Sequence, residues 1–315
     1  MYLFEDGGIT VNAAVDLLSR ARVETRDDAA VHLRSLDTGA ELEAANIQAL
    51  PTGGPLDLVA RVVRFYAPRV GVNVETENAA PHGSGLGASS SLLIALSGAL
   101  DRLNATGLTY DDFVDYGANV EAQCIGIPTG KQDHYAALMG RINAIWFEVK
   151  GNRVESLVAD ERGLSWFEER IVLAFTGESH FSGTSNWNML KAYIDNIGHN
   201  RASMKEIKET ALAMREAVQR RDFARFGDLV DREWQNRRQL AEGVSTPQIE
   251  MLMEVAKKAG AVSSKICGAG GGGCMITVVE PEKKRTVEAA LNGEGARVLP
   301  LRMARQGLEV SVVSQ

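Results

Sequence analysis

Two segments that are almost free of side chains constrain this 315-residue chain more than any other feature. The first is Pro81-His82-Gly83-Ser84-Gly85-Leu86-Gly87-Ala88-Ser89-Ser90-Ser91. It runs straight into Leu92, Leu93, Leu96, Ala99, Leu100 and Leu103, whose three- and four-residue spacing predicts a helix over 89–103. A helix start leaves backbone N–H groups free and carries partial positive charge. Alternating glycines let the backbone approach an anion, and serines can cap the helix or offer hydroxyls to a metal ion. Together these features read as a phosphate cradle; the plainer alternative is a turn with a serine cap. The second segment, Lys265-Ile266-Cys267-Gly268-Ala269-Gly270-Gly271-Gly272-Gly273-Cys274, leads into a strand pattern at 274–279. Glycine at that density costs folding entropy, which points to backbone packed against a ligand or another backbone. A bulged hairpin turn is the plainer reading. Two such loops suit a nucleotide held from two sides.

Two other nucleotide motifs fail on spacing. Gly126-Ile127-Pro128-Thr129-Gly130-Lys131-Gln132 is one residue short of a Walker A loop, and Gln follows the Lys. Gly268, Gly270 and Gly273 fit the dinucleotide fingerprint, but that motif opens a helix, whereas a strand pattern follows here.

Charge and cysteine content exclude several classes. Lys+Arg total 34 against 41 Asp+Glu, a net charge of -7, so the chain is a poor general binder of nucleic acid. Cys124, Cys267 and Cys274 form no Cys-x-x-Cys pair and no disulfide framework, which leads us to expect a reducing, cytoplasmic setting. The first residues carry no signal-peptide pattern, and no apolar run reaches the ~18 residues of a membrane span.

Strands are expected within 9–36 and 70–76, a helix over 55–67 with Leu56, Val59, Val63 and Tyr66 on one face, and a helix over 112–124. Further strands follow at 140–149, 153–157 and 171–175. Helices are expected at 199–220, 222–241, 246–259 and 282–292, with two strands at the end. A domain boundary is placed near 160, at the Asp160-Glu161-Arg162-Gly163 turn.

Between the glycine segments lie Glu121, Lys131 and Asp133. Phosphoryl transfer from ATP needs oxygen ligands for Mg²⁺ and a group that orients or deprotonates the attacking hydroxyl. Glu121, near a helix end, can supply a ligand. Asp133 follows a Pro/Gly-broken loop, and Lys131 beside it would keep it ionised and balance charge on the phosphoryl group. Each alone could be a solvated surface residue.

These pieces, in this order, resemble the GHMP kinases. The first loop is similar to that family's Pro-x3-Gly-Leu-Gly-Ser-Ser-Ala motif, with Ala88 in place of the first Ser, and Lys265–Cys274 is similar to its C-terminal motif. Gly130-Lys131-Gln132-Asp133-His134-Tyr135 is similar to a segment of the heptose 7-phosphate kinase branch, as is Thr176–Trp187. The resemblance implies an α+β, two-domain fold: a ribosomal protein S5 domain 2-like N-terminal ATP-binding domain (1–160) and a ferredoxin-like C-terminal domain (161–315). It implies ATP and Mg²⁺ as cofactors. ATP would be held by Pro81, Gly83, Ser84, Gly85, Leu86, Gly87, Ala88, Ser89, Ser90, Gly268, Gly270, Gly271 and Gly272. Ser89 and Glu121 would ligate Mg²⁺, and Asp133 with Lys131 would be catalytic. Gly8, Asn12, Gly130, His180 and Asn186 would contact the substrate.

The implied reaction phosphorylates the anomeric hydroxyl of D-glycero-D-manno-heptose 7-phosphate. A galactose, fucose or mevalonate kinase and a non-catalytic nucleotide-binding regulator are the alternatives. The partner expected is a small sugar or sugar phosphate, with no nucleic acid and no membrane; oligomeric state is left open, a homodimer included. In the family, an opening strand and a motif ending near Gly-Gly-Thr-Asp precede the segment that here is Asp6-Gly7-Gly8-Ile9-Thr10-Val11-Asn12. Met1 stands almost directly before it, which points to either a shortened start or a compromised activity. His180, Asn186, Trp187 and Asn188 read as a polar–aromatic loop. Arg232, Arg237 and Arg238 read as an ion-paired helix face, with a substrate phosphate as their alternative partner.

Overall fold

Period-two and period-3.6 patterning place most elements where expected. A computed structural model describes residues 7–178 and 182–313, the side chains of 182–185 excepted. In chain order the elements are β1 (Gly8–Ala13), β2 (Ser19–Thr25), β3 (Val31–Ser35), β4 (Glu41–Ala44), α1 (Asp57–Tyr66), β5 (Val72–Asn78), α2 (Ala88–Asn104), α3 (Tyr110–Ile125), α4 (Gln132–Met139), β6 (Ile142–Glu148) and β7 (Gly151–Val158). They continue with α5 (Glu161–Glu168), β8 (Ile171–Phe175), α6 (Ser182–Ile194), α7 (Asn200–Arg220), α8 (Phe223–Arg237), α9 (Pro247–Lys258), β9 (Ala261–Ile266), β10 (Cys274–Val279), α10 (Lys284–Gly293) and β11 (Arg297–Leu299).

The chain folds as two units interleaved in sequence. One holds the residues up to Asp16, His82–Leu86 and Arg141–Arg305; the other holds Leu17–Pro81, Gly87–Gly140 and the chain from Gln306. Residue 160 falls inside the first unit. That unit contains an antiparallel sheet ordered β1-β6-β7 and a second antiparallel sheet ordered β11-β8-β10-β9. Helices α8 and α9 pack on β9, α10 packs on β8 and β11, and α7 reaches β1 and β7. Trp234, Ile249, Leu252, Ile266, Met275 and Leu291 form one core cluster, and Ile142, Leu164, Phe167, Val230 and Val278 belong to another.

The second unit has a sheet ordered β2-β5-β3-β4, in which β3 and β5 run parallel and the other pairs antiparallel. Helix α2 packs on β2 and β5 and touches α1, α3 and α4. Its burial goes beyond the expected stripe: Leu92, Leu93, Leu96 and Leu100 are buried, but so are Ile94, Ser97 and Gly98, while Leu103 is exposed. A helix enclosed by a sheet and three helices has no free polar face. The α1 face is as expected, with Leu56, Val59, Val63 and Tyr66 buried.

Four expectations need correction. The broken loop around Asp133 is short, because α4 begins at Gln132. Asp160 is not a linker turn; its side chain accepts from the Gly163 N–H at 2.8 Å and caps α5. Asn186, Trp187 and Asn188 lie on a helix, α6, where they are exposed. Of the two closing strands, only β11 forms; beyond it, Met303 makes an isolated bridge to Val15. Among the described residues, no helix is long and apolar enough to cross a membrane.

Candidate active site

The glycine segments meet within the first unit. The Cys274 N–H donates to the Ser84 carbonyl at 2.6 Å. Gly85 and Gly268 press backbone to backbone: a Cβ on Gly268 would lie 3.1 Å from the Gly85 oxygen, and one on Gly273 would lie 2.6 Å from that of Ser84. The second segment is laced further by the Gly271 N–H to the Val244 carbonyl at 2.7 Å, the Gly273 N–H to the Glu178 carbonyl at 2.8 Å, and the Thr176 N–H and Oγ to the Gly273 carbonyl, both at 2.9 Å. Its glycines are therefore explained at least partly by backbone–backbone contact. Ser84 is buried, and its hydroxyl has no hydrogen-bond partner among the described residues.

In the second unit, Gly87 (φ +70°) is the residue from which α2 starts, and no side chain caps that start. The serines were expected to cap the helix; Ser90 instead turns inward, its Oγ donating to both Glu121 oxygens at 3.0 Å. The first N–H groups of α2 are thus left without a side-chain acceptor among the described residues. Gly87 also makes room for Asp133, since a Cβ there would lie 2.6 Å from the Asp133 Cβ and 2.7 Å from its Cγ.

Three helices converge on Glu121, which is buried near the end of α3, with Ser89 and Ser90 on α2 and His134 on α4. Burial pushes the Glu121 carboxyl above its usual range; the Ser89 and Ser90 hydroxyls pull it down, and the charge of Asp133 pushes it up. Burial pushes Asp133 up to about 6. Lys131 does not hold that carboxylate ionised as expected. Its Nζ donates to Asp115 Oδ1 at 2.5 Å, an α3 partner not seen in the sequence. Burial, reinforced by the charge of Lys131, lowers the His134 imidazole to about 4, so it is neutral at physiological pH. His134 was also missed. Its signal was Gly117, a glycine inside a helix and one turn before Glu121.

The remaining candidates are distributed as follows. Gly8 and Asn12 share one face of β1, opposite Phe147 and Asn143. Gly130 is exposed, with nothing within 4 Å of a Cβ built there. Asn186 is exposed on α6, and His180 lies outside the described residues. Arg232, Arg237 and Arg238 are paired with Glu206, Glu233 and Glu250, which is the ion-paired face expected of that helix.

Residues 57–141 match the profile of the GHMP kinases N-terminal domain, and 214–297 match that of the GHMP kinases C-terminal domain. A mevalonate kinase from Thermococcus sibiricus is 30% identical over 78% of this chain and 71% of that protein. This chain is a GHMP kinase. A D-glycero-alpha-D-manno-heptose 7-phosphate kinase from Campylobacter jejuni is 27% identical over 98% of this GHMP kinase and 92% of its own length. The crystal structure of a D-glycero-D-manno-heptose 1-phosphate kinase from Bacteroides thetaiotaomicron shares the fold, with a TM-score of 0.75 at 23% identity, covering 98% of this chain and 92% of that one. The family makes this GHMP kinase an ATP-dependent phosphotransferase with a small-molecule acceptor.

The residues present fit a triphosphate and a divalent ion. The uncapped start of α2 and the unpartnered Ser84 hydroxyl are donors suited to phosphate oxygens. Among the described residues no three His, Cys, Asp or Glu side chains form a metal cage. That suits Mg²⁺, which is commonly held by one or two carboxylates and the phosphates themselves.

Proposed function

We propose that this enzyme is a sugar kinase that transfers the γ-phosphoryl group of ATP to the anomeric hydroxyl of D-glycero-D-manno-heptose 7-phosphate, giving the 1,7-bisphosphate. The observation that carries the reading is the Asp133 carboxyl, half-buried at the start of α4 and backed by Gly87. With its acidity weakened to about 6, it is a carboxylate able to accept a proton from an alcohol near neutral pH. In this reading the backbone of Gly83–Ser90 and of Gly268 and Gly270–Gly272 holds the phosphates. Ser89 and Glu121 hold Mg²⁺, which would neutralise charge on the phosphates. Gly8, Asn12, Gly130, His180 and Asn186 face the sugar, and Lys131, tied to Asp115, is a positioning residue at the α4 start.

The choice of a heptose phosphate is supported by the likeness to the Campylobacter jejuni enzyme, which runs over 98% of this chain against 78% for the mevalonate kinase. A panel of heptose 7-phosphate, galactose, fucose and mevalonate, assayed for ATP-dependent phosphorylation, tests it. The heptose phosphate is expected to give the highest kcat/KM by at least tenfold. Preferential turnover of mevalonate or an unphosphorylated sugar would refute it.

A further inference from the structure

We propose that His134 is a positioning residue for Glu121, its Nε2–H donating to the carboxylate from the protein interior and holding it in the orientation that receives the divalent ion. This rests on the reading of Glu121 as a metal ligand. The imidazole is fully buried, and neither ring nitrogen has a hydrogen-bond partner among the described residues. The polar atom that Nε2 faces is Glu121 Oε2, at 3.4 Å. A buried donor without an acceptor is costly, and catalytic hydrogen bonds are often long before ligands bind, so a closing movement of about half an ångström would satisfy both groups.

The surrounding helices are shaped for this contact. Gly117 stands one turn before Glu121 on the same face of α3; a Cβ there would lie 2.9 Å from His134 Cδ2, 3.1 Å from Nε2 and 2.8 Å from Leu93 Cδ2. Glycine inside a helix costs about 1 kcal/mol relative to alanine, and here the space it leaves is filled by the imidazole. Ser90 binds both Glu121 oxygens from α2, and His134 approaches from α4, so the carboxylate of α3 is held from two neighbouring helices. Such outer contacts fix a ligand's direction, and their loss typically weakens metal affinity 10- to 100-fold.

The test compares His134→Leu, which keeps bulk without a donor, His134→Gln, which restores an N–H, and Glu121→Gln. Mn²⁺ binding is titrated by electron paramagnetic resonance in the presence of a non-hydrolysable ATP analogue, and analogue binding is measured separately in EDTA. We expect His134→Leu to weaken Mn²⁺ at least tenfold with metal-free nucleotide affinity within twofold, and His134→Gln to recover to within threefold of wild type. Unchanged Mn²⁺ affinity in His134→Leu, or equal loss in both His134 variants, overturns the proposal. Unchanged affinity in Glu121→Gln overturns the metal assignment as well, which separates the two failures. The wild-type protein gives a reading independent of variant folding. Nitrogen-15 NMR should show the Nε2–H tautomer of His134, shifting when Mg²⁺ and the analogue bind; the Nδ1–H tautomer would overturn the proposal.

Discussion

At the scale of single residues, Asp133 combines a role in chemistry with a cost in stability. Its folded carboxyl titrates at about 6, against roughly 4 in an unfolded chain. Below pH 4 it is protonated in both states and costs nothing; the cost grows as pH rises to 6 and is complete above it. Asp133→Asn is therefore expected to stabilise the fold by about 1–2 kcal/mol at pH 8 and by almost nothing at pH 4, read from urea unfolding at the two values. Equal effects at both pH values would contradict the account. The same group predicts that kcat/KM of the wild type falls as pH drops through about 6, an acid limb to be measured with ATP saturating. Gly87→Ala would force an L-residue to φ +70° and drive its Cβ into Asp133. A loss of kcat on the order of 100-fold is expected, since displacement of a reacting group by about 1 Å costs that much.

At the scale of elements, what was legible followed from how much periodicity each segment offered. Helix α2 and strands β8 and β10 announce themselves through long apolar patterns. Helix α4 has two turns, with Tyr135 and Leu138 as its lone three-residue apolar pair, and Pro128 and Gly130 shortly before it, so the pattern reads as a broken loop. The contact between His134 and Glu121 joins two helices and could not be read from either segment alone. Helix α4 is also fixed from its far side. The Leu308 N–H donates to the Leu138 carbonyl at 3.2 Å, and a Cβ on Gly307 would lie 1.8 Å from that oxygen. Gly307→Ala is expected to cost about 3 kcal/mol or more by urea unfolding and to lower kcat, because the clash lies in the helix that carries Asp133. A cost below 1 kcal/mol would show that this contact does not brace α4.

At the scale of the whole molecule, the glycine segments, the α+β class and the family were open to sequence reading, but the interleaving was not. Strand β1 pairs with β6 more than a hundred residues later, a partnership that local pattern does not encode. Residues 1–160 alone would lack α7, which packs on β1 and β7, and would lack Leu164 and Phe167 from the cluster containing Ile142 and Val158. That fragment is expected to show no cooperative thermal transition by calorimetry.

The central claim is that backbone from two glycine segments holds the ATP phosphates while Asp133 takes the proton from the sugar hydroxyl. Single-turnover phosphorylation of heptose 7-phosphate by wild type and Asp133→Asn, each with nucleotide affinity determined in parallel, tests it most directly. The account predicts unchanged ATP affinity and a transfer rate lower by 10²–10⁴-fold in the variant. Transfer at the wild-type rate would contradict it.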